Sequence, residues 1–339
     1  MCLLSVIVPI YNIKPYLETC LASLCVQGFE ADEYEVLCVN DGSTDGSEEI
    51  VKAMALVYPQ IRLVEQSNQG VSAARNTGID AARGQYLFFC DGDDFLEPYC
   101  LKRAAKLCLE QKAASASFGF QTVEEKAEMR EVPLECSAEI KWTSGRSKPF
   151  YSGNIWRFLV SREFLNKNNI RFKAGMRYAE DELFLYHICR FLDFKDHIYI
   201  DEIFYNYRMR ASSAVHQKRD IRLRAHYEDM VEMALEYKQY LQDEALSKEM
   251  QKSTLNRYRY AVSNAMQDAL ILGERKPTEV LAELREKGLY PFGFMVELLK
   301  PKHPKTMAVN YGKFFYSIPI YYSIAYKVTQ MLKKRRAGG

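Results

Sequence analysis

Three carboxylates stand within four residues, Asp91, Asp93 and Asp94, directly after the apolar run Phe88-Phe89-Cys90. Like charges that close repel one another, so a fold tolerates them best where a hard cation or a metal-bound polyphosphate compensates. An acidic turn after a strand is also ordinary solvated surface, and a D-x-D by itself decides nothing. A second acidic group, Glu180-Asp181-Glu182, precedes Leu183, Phe184, Ile188, Phe191 and Leu192 at helical spacing. Acids at a helix start are stabilised by the helix dipole without any chemistry. The same position would also hold a carboxylate ready to act as a general base.

The elements that must position these groups alternate. Leu3 to Ile10 is a continuous β-branched run of the kind buried on both faces in a parallel sheet. Leu17, Cys20, Leu21 and Leu24 recur at helical spacing, Glu35 to Val39 reads as a second strand, and Asn40 to Ser47 as a turn and helix start. Ile61 to Val64 is a third strand, Ser72 to Ala82 a helix and Tyr86 to Cys90 a fourth strand. This order predicts an α/β fold with a mostly parallel sheet, right-handed crossovers and ligand loops at the strand carboxyl ends. Pro9 to Asn12, Asp41 to Ser47 and Asp91 to Asp94 all fall at such ends. A dinucleotide dehydrogenase is disfavoured because no G-x-G-x-x-G follows the first strand.

The strings VIVPIYN (Val6 to Asn12), NDGSTDGS (Asn40 to Ser47), NQGVSAARNTGI (Asn68 to Ile79), CDGDD (Cys90 to Asp94) and AEDELF (Ala179 to Phe184) occur in that order. Together they resemble the successive signatures of family 2 glycosyltransferases, inverting enzymes with a Rossmann-like nucleotide-sugar fold, over about the first 215 residues. The resemblance implies that Pro9, Tyr11 and Asp41 line the base pocket, with Asp41 accepting a hydrogen bond from a uracil-type imide. Asn68, Gly70 and Arg75 would lie near the nucleotide, Arg75 being suited to base oxygens or phosphate. Asp91 would lie by the ribose and ligate metal with Asp93, while Asp94 orients its neighbours. The metal expected is manganese or magnesium, since the ligands are hard oxygens and none of the five histidines pairs with cysteine at finger spacing. The general base is expected at Asp181, with Glu180 the nearer alternative. Trp156 would cover the sugar or else fill the core. Arg210 and Ser212 resemble diphosphate contacts of the family's closing loop, with His216 on phosphate or metal.

Composition bounds the rest. A chain of 339 residues, 48% hydrophobic and 27% charged, can bury one large core and a smaller module. A net charge of +2 argues against general nucleic-acid binding. Nine cysteines without a C-x-x-C pair or a secretory leader predict reduced thiols and a cytoplasmic setting. Residues 1–217 are expected to form the catalytic domain and 218–339 a helical region. Leu223, Tyr227, Met230, Ala234, Tyr237 and Leu241 trace one amphipathic helix there, and Leu255, Tyr258, Val262, Met266 and Ala269 another. The aromatic stretch 314–336 contains Pro319, is too short to span a bilayer and ends in Lys333-Lys334-Arg335-Arg336. It is expected to lie on the inner face of the membrane, where a lipid-linked acceptor would make attachment useful; a docked terminal helix is the alternative. The expected partners are a nucleotide-sugar donor and a glycan acceptor, and the expected reaction is metal-dependent inverting transfer in surface-polysaccharide synthesis. Transfer onto a polyprenyl phosphate and a non-catalytic nucleotide-sugar-binding module are the competing readings.

Overall fold

A computed structural model describes residues 1–30, 32–129, 141–144, 154–210 and 219–290, together with Ser323, Tyr326, Lys327 and Gln330. Two compact units divide the chain, Met1–Ser213 and Ala214–Gly339. The first opens with β1 (Leu4–Ile10), α1 (Lys14–Cys25), β2 (Tyr34–Asn40), α2 (Ser47–Val57), β3 (Ile61–Glu65), α3 (Val71–Ala81) and β4 (Tyr86–Phe89). The four strands pair in parallel in the order β3-β2-β1-β4. Apart from Pro9, every residue of β1 and β2 is buried, which is why their sequences run apolar rather than alternating. Glu35 is the exception in kind, a buried acid within β2. It is held by the Ser5 hydroxyl (2.7 Å), the Arg83 amide (2.7 Å) and an ion pair to Arg62, so its charge is met away from the ligand loops.

Beyond β4 the chain adds β5 (Phe95–Leu96), α4 (Cys100–Glu110), β6 (Ser115–Val123), β7 (Trp142–Ser144), β8 (Phe158–Ser161), α5 (Arg162–Lys167), α6 (Glu180–Phe191) and β9 (His197–Arg208). Among the described residues the sheet has nine strands, continuing from β4 as β8-β6-β9-β5, with β7 against β9. Here β8 runs antiparallel to both neighbours while β6 and β9 are parallel. The alternating order that predicts the parallel block stops at β4, and so does that block. β9 therefore reaches the D-x-D loop from the opposite side of β4 to β1, an arrangement that no local pattern announces.

α3 packs on β1 through Gly78, where an added Cβ would lie 2.3 Å from Ile7 Cγ2. Gly78→Ala sets two effects against each other. Alanine gains up to about 1 kcal/mol of helix propensity, whereas overpacking a closed contact costs about 1–3 kcal/mol. With Ile7 fully buried the clash wins, and urea denaturation should show a net loss of about 1 kcal/mol. A variant at least as stable as wild type would mean the α3–β1 seam yields freely.

In the second unit, α7 (Arg219–Tyr240) packs along α8 (Lys248–Leu272), and α9 (Pro277–Glu286) follows. Leu223, Met230, Ala234 and Tyr237 are buried on α7, and Tyr258, Val262, Met266 and Ala269 on α8, so the two stripes are core. Ser247 caps α8 by accepting the Met250 amide at 3.2 Å, and Gly273 ends it at φ 64°. Most of the stretch 314–336 lies outside the described residues. Tyr326 and Gln330 are described, and both donate to the Gly273 carbonyl. No helix of the described residues is long and apolar enough to cross a membrane. Eight of the nine cysteines are described, and all eight are free thiols.

Candidate active site

The loops after β1, β2 and β4 lie together at the carboxyl edge of the parallel strands, tied by short polar contacts. Asn12, at φ 51°, accepts the Thr44 amide at 2.8 Å. Asp45 accepts the amides of Lys14 (2.9 Å) and Ser47 (3.0 Å). Asp45 thus does turn chemistry, joining the first and second loops.

Arg75, expected beside the nucleotide, lies beneath the acids, its side chain 3% exposed. From α3 its guanidinium donates to Glu180 Oε1 (3.0 Å), Asp181 Oδ1 (2.6 Å) and Asp91 Oδ1 (3.0 Å). Below it lies the Phe172 ring, 5.1 Å from the guanidinium carbon. Phe172 is held in turn by Asn76, whose amide side chain both donates to and accepts from the Phe172 backbone at 2.8 Å. One fork therefore gathers the D-x-D loop and the start of α6, two motifs some ninety residues apart in sequence.

Asp181 accepts the Ile155 amide through its second oxygen at 3.1 Å. Burial pushes its carboxyl up from 3.8 to about 7, against the pull of Arg75, and the neighbouring acids Glu180 and Asp91 push the same way. Burial also raises Glu180. Ala179, directly before them, sits in the left-handed region at φ 60°, a conformation that turns the chain sharply into α6 and aims both acids inward. A carboxylate poised near neutral pH and locked in orientation has the character of a general base.

In the D-x-D loop the three acids differ. Asp91 keeps a face to solvent, its side chain 30% exposed. Asp94 is 1% exposed and accepts the Tyr205 hydroxyl (2.7 Å) and the Arg208 amide (2.7 Å). Burial, then Asp93 and Asp91, push it up to about 8. Asp93 is raised by burial and by Asp91, while Arg210, its ion-pair partner, pulls it down. Gly92 turns between them with an ideal Cβ position 2.1 Å from Ile13 Cδ1, so a side chain there would have to displace Ile13. Among the described residues no group of three or more protein ligands is assembled for a metal. The donor chemistry nonetheless fits magnesium or manganese: two hard carboxylates, Asp91 and Asp93, in a surplus of negative charge, with remaining positions left to phosphate oxygens and water.

Of the residues expected to line the base pocket, Tyr11 is 50% exposed and Pro9 half-buried, while Asn68 and Gly70, expected near the nucleotide, are exposed. Asp41 is buried and already engaged. Its oxygens accept the Gln66 side chain (2.7 Å) and the amides of Gln69 (2.9 Å) and Gly70 (2.8 Å). Three of about four lone-pair sites are used in holding the Ser67–Gly70 turn, leaving room for one further donor. Trp156 is core: 4% exposed, it stacks on Tyr205 (centroids 4.3 Å) and Tyr207 (5.6 Å) and meets Phe120 edge-on, so its faces are taken by aromatic neighbours rather than open to a sugar. Ser212 and His216 lie outside the described residues. Sequence reasoning missed Gln66, Ile155, Phe172 and Tyr205. The first three act through backbone or neighbour contacts that leave no local signature, and Tyr205 reads as one more strand aromatic.

Residues 5–165 match the model of Glycosyl transferase family 2. Among curated proteins, the uncharacterised glycosyltransferase EpsJ of Bacillus subtilis is 33% identical over 221 residues, 62% of this chain and 62% of EpsJ, so the chain spans about three fifths of that relative's length. Among solved structures, S. aureus TarS 1-349 in complex with UDP-GlcNAc superposes with a TM-score of 0.64 at 18% identity, covering 98% of this chain and 92% of that one. The mannosyltransferase PcManGT of Pyrobaculum calidifontis, in complex with GDP-Man and Mn2+, gives 0.52 at 16% identity over 98% and 87% of the two chains. At such identities the two structures speak to the fold alone, a mixed α/β fold with a large central sheet. The family match covers the stretch that supplies Arg75 and the D-x-D, and it identifies residues 5–165 as a glycosyl transferase family 2 domain.

Proposed function

We propose that the chain transfers a sugar from a nucleotide-sugar donor, UDP-linked, to a hydroxyl of a glycan acceptor, with inversion at the anomeric carbon. The observation that carries this reading is the buried Asp181 carboxyl, raised to about 7 and fixed by Arg75 and the Ile155 amide next to the D-x-D loop. Asp181 takes the acceptor hydroxyl proton as that oxygen bonds to the anomeric carbon and the bond to the departing diphosphate breaks on the opposite face. Arg75 keeps Asp181 aimed and partly charged. Asp91 and Asp93 would hold Mn or Mg, which when bound supplies Lewis-acid stabilisation of the leaving group. Asp41 and Tyr11 would receive the base, Asp41 through its remaining lone pair. The UDP preference is supported by the TarS complex with UDP-GlcNAc, and divalent metal by the PcManGT complex with Mn2+. A thermal-shift panel of UDP- and GDP-sugars, with and without MnCl2, tests the reading through mass-action stabilisation. No shift with any nucleotide sugar would sink it.

The pH dependence follows from the sign of the Asp181 shift. The base works only when deprotonated, so kcat should climb with pH through about 7 and level off above it. A profile already flat from pH 5 upward would assign the base to a group with an ordinary carboxylate pKa. Asp93→Asn should leave a folded protein, because mutual repulsion among the three acids is relieved, while Mn2+-dependent UDP binding falls by about tenfold or more. Calorimetry with UDP and MnCl2 reads this directly, and unchanged binding would remove Asp93 from the metal site.

Peripheral attachment through the basic, aromatic carboxyl terminus is proposed alongside, to bring the enzyme to a lipid-linked acceptor. Deleting 314–339 should then abolish flotation with anionic vesicles while UDP binding persists. Equal flotation with and without the segment would refute the attachment.

A further inference from the structure

Two arginines from the end of β9 and the residues just after it meet the D-x-D loop, and they are held differently. Arg208 is fully engaged: its Nε donates to the Asp93 carbonyl (2.8 Å), one Nη reaches the carbonyls of Glu125 and Ala127 (2.7 Å to the latter), and its amide binds Asp94. It is also 5% exposed and lies against the rings of Tyr16 and Phe95. Arg208 is thus a structural brace. Arg210 has an ion pair to the Asp93 carboxylate and a face on the Tyr16 ring at 5.2 Å, while its Nε is buried without a partner among the described residues. A guanidinium with an unmet buried donor, resting on the one carboxylate of the loop that has no second side-chain partner among the described residues, is poorly satisfied where it is.

We propose that Arg210 is a place-holding cation: it neutralises Asp93 in the free enzyme and surrenders that carboxylate to the divalent metal when a nucleoside diphosphate offers its guanidinium a better anion. The inference rests on Asp93 being a metal ligand, as in the function proposed above. Its physical content is an exchange of partners. Metal alone must displace a guanidinium with nowhere equivalent to go, which weakens metal-only binding. Metal and diphosphate together complete the exchange, so each raises the affinity of the other by more than direct metal–phosphate bonding supplies, and by linkage the gain is reciprocal. The pairing also keeps the three acids of the loop from repelling one another before ligand arrives.

The test measures Mn2+ binding by the electron paramagnetic resonance of free Mn2+, first with MnCl2 alone and then with UDP, on wild type, Arg210→Gln and Arg210→Lys. Mn2+-only affinity should rise about fivefold or more in Arg210→Gln, stay near wild type in Arg210→Lys, and the enhancement of Mn2+ binding by UDP should shrink in Arg210→Gln. An arginine that only contacts phosphate would leave Mn2+-only affinity unchanged, and that result overturns the inference while leaving the metal site standing. If wild type binds UDP but takes up no Mn2+ even then, Arg210 is a permanent counter-ion, and both the inference and the metal reading fall. Circular dichroism of each variant guards against misfolding, and Asp93→Asn, which should lose Mn2+ in both conditions, confirms that the signal comes from this loop.

Discussion

Asp181→Asn lowers kcat by about 100-fold or more and leaves UDP affinity near wild type, in line with the usual worth of general-base catalysis. The geometry favours a clean experiment. An asparagine keeps one oxygen for the Ile155 amide and turns its NH2 towards Arg75, which gives up that contact but retains Glu180 and Asp91, so most of the constellation survives the loss of one charge. Stability should move the other way from activity. The folded-state pKa of Asp181 is raised above its unfolded value, so its contribution to stability is full below 3.8 and is lost as pH rises through about 7. The variant should therefore be no less stable than wild type at pH 8, and the gap between them should narrow or reverse towards pH 4. Single-turnover kinetics, UDP calorimetry and denaturant curves at the two pH values separate these effects. Lost UDP affinity with unchanged turnover at saturation would move Asp181 into the nucleotide site. Unchanged turnover with unchanged affinity would favour an acceptor that arrives as an anion, such as a polyprenyl phosphate.

Arg75→Met should be the most damaging single substitution in the site. Its guanidinium is the shared counter-charge of three carboxylates, and breaking a buried ion pair by removing one partner costs about 3–5 kcal/mol. Part of that cost is avoidable, because Asp181 and Glu180 can take up protons, so a loss nearer about 3 kcal/mol is expected, read by urea denaturation at pH 7. The informative signature is in the pH profile. Without Arg75 only the Ile155 amide opposes burial at Asp181, so the rising limb of kcat should shift to higher pH. Arg75→Lys should not rescue it, since a single ammonium cannot reproduce the fork that reaches Glu180, Asp181 and Asp91. A variant with the wild-type limb and wild-type stability would show that Arg75 neither tunes nor gathers the acids.

Much of the scaffold is legible in the chain. Continuous apolar runs at Leu4–Ile10 and Tyr34–Asn40, separated by helical periods, specify a parallel block because strands buried on both faces have no polar side to alternate. The same order puts the loops after β1, β2 and β4 on one edge, since every right-handed crossover returns the chain to the same end. Motif strings mark which residues of those loops carry charge. The buried stripes of α7 and α8 are likewise read correctly, because a 3.6-residue period reports one apolar face whatever that face packs against.

What the sequence cannot express is which charge meets which. Arg75 and Asp181 are more than a hundred residues apart, and only tertiary packing that brings α3 to the start of α6 turns an arginine suited to phosphate into the counter-charge of the Asp181 carboxylate. Trp156 could face ligand or core on composition alone, and the stacking of Tyr205 and Tyr207 from β9 decides for the core. Asp41 reads as a free acceptor until the Ser67–Gly70 turn is folded onto it. In each case the motif names the group, but its partner and its burial belong to segments distant in sequence. Residue type and local period are properties of a short window, whereas desolvation and charge pairing depend on contacts between segments distant in sequence, and those exist only in the tertiary structure.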